Sequence, residues 1–167
     1  EEINLITTLT NFTENPFWFI LKLKGVFMLK GIKQTDYRLL KVIQKYGCYF
    51  LSLAESSPLI FEGEAGIKAL NFIWCEATSK GYISDDLNKD GDFDDAGEAE
   101  IVNVEALART YFALDVKYDN KHHDADEVIP ENVKVVLGMY FWKGSHFVLL
   151  NREKEVIFDS FGYSNTV

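Results

Sequence analysis

A Tyr46-Gly47 break divides an otherwise helix-compatible apolar stretch, residues 41–55 (KVIQKYGCYFLSLAE), and sets Cys48 at the first position of its second half. That half must stop before Pro58, because proline removes a backbone N–H and restricts the residue before it. A thiol at a helix start meets unpaired backbone N–H groups and the positive end of the helix dipole. Both favour thiolate, so the expected pKa is lowered and Cys48 is a candidate nucleophile. The competing reading is a buried core thiol, a common environment for free cysteine.

The remaining pattern places helices first and strands last. Leu39, Leu40, Val42 and Ile43 suggest a short amphipathic helix ending at Gly47. A longer helix is expected from about 64 to 79, with Gly81 as terminator. Residues 103–111 predict a further helix with Asn103 as N-cap and Ala106, Leu107 and Tyr111 inward. Beyond it, 112–118, 133–142, 146–151 and 155–159 read as strands, the last two joined at Arg152-Glu153-Lys154. This order predicts an α+β protein with N-terminal helices packed on a C-terminal antiparallel sheet. At 167 residues and 47% hydrophobic content, the chain suits one domain with a substantial core.

Charge is uneven. Of the net −9, residues 85–100 carry eight acids and one lysine. The overall acidity argues against nucleic acid or an anionic membrane surface as partner. Within the segment, Asp86, Asn88, Asp90, Asp92 and Asp94 alternate around Gly91, the oxygen-donor spacing and sharp turn that a calcium loop needs. The pattern resembles an EF-hand loop or the shorter loops of dockerin-like modules. It departs at the twelfth position, where Gly97 stands; Glu98 comes one residue late, and Asp95 is another candidate. The expected ion is a structural Ca²⁺ holding an insertion at about 84–100, against the alternative of a solvated acidic loop. His122 and His123, followed by Asp124 and Asp126, are read as a polar loop, since adjacent residues in extended backbone face opposite ways.

Two cysteines are too few for a disulfide scaffold. Cys75 falls in a run of helical apolar spacing with Ile67, Leu70, Ile73 and Trp74 and is expected in the core, not bridged to Cys48. The apolar stretch 17–21 lacks a basic leader and a cleavage site, and it is too short to span a membrane. Met28 precedes the first motif, and codons for residues 24–27 can contain a ribosome-binding-like sequence. Residues 1–27 are therefore read as a translated leader, or else as an extension packing Trp18 and Phe19 on a domain at 28–167. On the leader reading, a chain starting at Met28 keeps its folding midpoint. The ending at SNTV suggests a further strand beyond it.

The strand pattern supplies partners for Cys48. His146 opens one strand in GSHFVLL, and Asp159 ends its hairpin neighbour in VIFDSFG, so the two fall at one end of the sheet. A histidine oriented by a carboxylate is the base that a thiol nucleophile uses. These residues carry a resemblance. Gln34 in QTDY, Gly47-Cys48 at a helix start, His146-Phe147 opening a strand and Asp159 on the next resemble the papain-like cysteine peptidase superfamily. They are nearest its bacteriocin-processing C39-like branch and related cell-wall hydrolases. YGCYF and the segment from Asp159 to Val167 are also similar to an uncharacterised bacterial and phage family.

The resemblance implies a papain-like fold and a cysteine hydrolase cutting a peptide or amide bond in a peptide or peptidoglycan-like substrate. It implies Cys48 as nucleophile, His146 as base and Asp159 as its orienter. Gln34, with Gln44 as the alternative, would share the oxyanion with the Cys48 N–H. It covers about 32–62 and 135–162. Tyr49 stands where that branch keeps glycine, which directs attention to access at the oxyanion hole. The competing class is a non-catalytic binding domain on the same fold, and a third reading is acyl transfer through the same thioester.

Overall fold

The computed structural model describes residues 2–6, 31–116, 123–124, 126–131, 135–140 and 146–162; for 2–6, 123–124 and 135–140 this is the course of the backbone. Met28, Trp18, Phe19, His122 and the segment 163–167 lie outside the described residues.

Among the described residues four helices come in sequence: α1 (Lys41–Tyr46), α2 (Cys48–Ser56), α3 (Gly63–Ser79) and α4 (Val104–Tyr111). Gly47 joins the first two, with its N–H on the Ile43 carbonyl and its own carbonyl accepting from Leu51, both at 2.8 Å. The need for glycine is steric. A Cβ there would stand 2.5 Å from the Ile43 carbonyl oxygen. At the start of α4 the Asn103 side chain accepts from the Ala106 N–H, the cap expected from sequence. Leu107 is buried and Ala106 and Tyr111 are half-buried, while Val104 and Ala108 complete the inward face.

Five strands among the described residues form one antiparallel sheet in the order β2 (His123–Asp124), β1 (Glu2–Ile6), β3 (Val135–Tyr140), β4 (His146–Leu150) and β5 (Val156–Phe158). The protein is α+β, but the sheet is not drawn from the C-terminal half alone: β1 lies between β2 and β3. On the other side of β3, Met139 pairs with Phe147 and Val136 with Leu150. Residues 112–116, expected as strand, are not strand. Phe112 caps α4, Ala113 takes a positive φ of 51°, and the Leu114 N–H returns to the Ala108 carbonyl.

The core lies between the helices and the β4–β5 hairpin. Phe50, Leu51 and Leu53 of α2 are buried with Leu70 and Trp74 of α3, Leu107 of α4 and Leu149 of β4. Phe50 meets Trp74 and Phe112 edge-on, with centroids at 5.1 and 5.4 Å, the geometry that aromatic quadrupoles favour. Cys75 is a correction. It is exposed, because one residue along a helix turns 100° and carries it past the face held by Ile73 and Trp74. Both cysteines are free thiols. No helix among the described residues is long and apolar enough to cross a membrane.

Candidate active site

The β4–β5 hairpin brings His146 and Asp159 together. The register sets Leu149 opposite Phe158, so the residue after Phe158 falls toward the His146 end of β4. His146 Nε2 lies 2.8 Å from Asp159 Oδ1, and both residues are buried. The same oxygen accepts from the N–H groups of Phe161 (2.9 Å) and Gly162 (3.1 Å). Three donors on one oxygen favour the ionised carboxylate and fix its direction. With Nε2 engaged by Asp159, proton exchange by the imidazole runs through Nδ1. The Phe161 ring covers His146 with centroids 5.0 Å apart.

Cys48 opens α2 and packs on the start of β4. Its thiol is within reach of the backbone amides of Phe147, Tyr49 and Cys48 itself, and it feels the Asp159 charge. The expected lowering of its pKa is not what this environment gives. Burial pushes the Cys48 thiol up, the amides pull it back only in part, and Asp159 adds to the rise. At 8% exposure the cost of burying a thiolate exceeds what the helix start returns. The shift therefore favours the protonated thiol over the thiolate at Cys48.

Tyr49 follows Cys48 at the second position of α2. Its ring stacks on Phe147 at 4.7 Å and 22°, lining one side of a cleft of about 500 Å³ that includes Cys48.

The two candidate glutamines are placed differently. Gln44 lies on α1, with its amide nitrogen donating to the Leu39 carbonyl at 2.7 Å. Gln34 is fully buried beside Asp159: its backbone N–H donates to the Ser160 carbonyl, and its Oε1 accepts from the Ser160 hydroxyl, both at 2.9 Å. Among the described residues, nothing accepts from Gln34 Nε2, which is itself buried. Ser160 was not singled out from sequence, although it adjoins Asp159.

The acidic segment is close to the thiol in space. Ile83 and Ile101 pair at its ends, and Ser84 and Glu100 bond across them. Residues 93–101 then form one wall of the Cys48 cleft. Asp86 accepts from the N–H groups of Lys89 and Gly91, and Asn88, Asp90 and Asp92 each accept from the N–H two residues on. Gly91, at φ +92°, makes the turn a side chain would resist. Glu98 is buried, taking N–H bonds from Leu87 and Asp95. Asp94 is held by Lys45 Nζ and Tyr46 OH and lines the same cleft as Cys48. Among the described residues, no three His, Cys, Asp or Glu side chains converge as a ready metal cage. His123 is in β2 and Asp126 is exposed.

No curated protein and no solved structure matches the chain. A family model matches residues 28–167, which include α1–α4 and every residue placed at the site. The chain accordingly belongs to the family described as protein of unknown function, DUF261.

Proposed function

We propose that this protein is a papain-like cysteine hydrolase of the C39-like kind, acting on a peptide or amide bond. The observation that carries this reading is the buried His146–Asp159 pair, at 2.8 Å, set at the end of β4 against which Cys48 packs. His146 takes the Cys48 proton as sulfur attacks the carbonyl carbon. The new C–S bond pushes the carbonyl electron pair onto oxygen, where the Cys48 N–H and Gln34 Nε2 receive it. Collapse breaks the bond to the leaving amine, which takes the proton from His146. Water, deprotonated by His146, then cleaves the thioester and restores the thiol. Asp159 orients the ring and stabilises the imidazolium throughout.

The cleft argues about substrate as well. Asp94, Asp95, Glu98 and Glu100 line it, and Lys45, paired with Asp94, is the one base among its described lining residues. Neutral or cationic groups are favoured there over carboxylates. The test uses p-nitrophenyl acetate as a neutral acyl donor. Wild type should release nitrophenol in a burst stoichiometric with protein, and Cys48→Ala should not. Equal release from both proteins would leave the non-catalytic binding domain as the better reading.

A structural Ca²⁺ in the acidic loop is the second part of the proposal. The loop offers oxygen donors at the right spacing in Asp86, Asn88, Asp90, Asp92, Asp94 and Glu98. The mutual repulsion that a cation would relieve is already felt at Asp95, whose carboxyl is pushed up first by Glu98 and further by Asp90, Asp92 and Asp94. These side chains would hold the ion, and no catalytic step runs through it. Calcium is expected to raise the melting temperature of wild type and leave an Asp86→Ala/Asp90→Ala variant unmoved. An equal rise in both would place the effect elsewhere.

A further inference from the structure

The turn that carries Asp159 also holds the glutamine. Asp159 turns its carboxylate to His146, and its backbone carbonyl accepts from Lys33 Nζ at 3.0 Å. The next residue, Ser160, is fully buried and grips Gln34 twice. Its carbonyl accepts the Gln34 backbone N–H, and its hydroxyl donates to Gln34 Oε1. A primary amide is planar, so fixing its oxygen also fixes its nitrogen. The result is a buried Nε2 with no acceptor among the described residues. A buried donor left unmet destabilises the resting fold, so the orientation needs a cause. Rotating the amide about its last torsion would let Nε2 bond the Ser160 oxygen instead, and the donated hydroxyl bond opposes that rotation.

We propose that Ser160 is a positioning residue: its hydroxyl locks the Gln34 amide with Nε2 presented for a developing oxyanion, so the 159–160 turn sets both the base and the oxyanion donor. This rests on the hydrolase reading and adds to it a residue that touches neither substrate nor thiol. Ser160→Ala removes the hydroxyl bond but keeps the backbone bond to Gln34.

Two reagents separate the roles of the site. Acylation by p-nitrophenyl acetate passes through an oxyanion; alkylation by iodoacetamide does not, though both need the thiol and His146. In Ser160→Ala the acylation rate should fall about tenfold, below the roughly 10²–10³ for losing an oxyanion donor outright, while alkylation stays within about twofold. The ratio of the two rates is the readout, since a partly unfolded population lowers both together. In a Gln34→Ala background the same substitution should change acylation by less than about twofold, because its target is gone. Ser160→Thr, which keeps the hydroxyl, should restore the ratio. An unchanged ratio in Ser160→Ala, or additive losses with Gln34→Ala, would overturn the positioning role with the hydrolase intact. A wild-type thiol that neither reagent modifies would overturn both.

Discussion

Replacing His146 with alanine is expected to slow iodoacetamide labelling of Cys48 at about pH 7 by roughly 10², the lower end of general-base effects, and to remove the nitrophenyl acetate burst. The reason lies in the thiol's surroundings. Burial raises its pKa, so little thiolate exists at neutral pH and reaction depends on a base within reach. The sign of the pH dependence follows. A raised thiol pKa means the wild-type labelling rate keeps climbing from about pH 6 into the alkaline range, as the thiolate fraction grows. A preformed thiolate–imidazolium pair would instead label rapidly near pH 6 and change little above it. Mass spectrometry of both proteins across that range, with Cys75 followed as the exposed internal control, decides the matter. If wild type and His146→Ala label Cys48 at the same rate at every pH, the histidine is not its base and the hydrolase reading fails.

Phe50→Ala is expected to be the most damaging single change to the fold, costing about 3–5 kcal/mol. Phe50 is fully buried on α2, two residues beyond Cys48, and its ring is edge-on to both Trp74 of α3 and Phe112 at the end of α4. Removing it leaves a cavity where three helices meet, and two aromatic contacts are lost with it. In a domain of this size the melting temperature should fall by on the order of 10 °C. A loss under about 1 kcal/mol in urea unfolding would mean that α2 is not anchored here. The position of Cys48 would then need another support.

The short helix pair around Gly47 was legible from residues 41–55 because a glycine break, a terminal proline and an apolar period are local signals. The Asn103 cap and the 152–154 turn were legible for the same reason. His146 and Asp159 could be brought together from sequence because a tight hairpin fixes register over a few residues, and the 2.8 Å contact follows from it. Cys75 was misplaced because its spacing fits a helical face to within one residue, and one residue is enough to turn a side chain outward. Residues 112–116 have strand composition, but the N–H groups of Phe112 and Leu114 go to the Ala108 carbonyl at the end of α4.

The sequence by itself determined the α+β class, the helix start that carries Cys48 and the hairpin that pairs His146 with Asp159, but not the place of β1 in the sheet. Each of these depends on residues close along the chain. Tertiary structure decided the rest. It set the direction of the Cys48 pKa, because burial is a property of what packs around a residue. It brought residues 93–101 to the cleft beside the thiol and joined Gln34 to Ser160 across 126 positions. No periodicity or motif encodes such contacts, since they exist only once the sheet and helices have closed on one another.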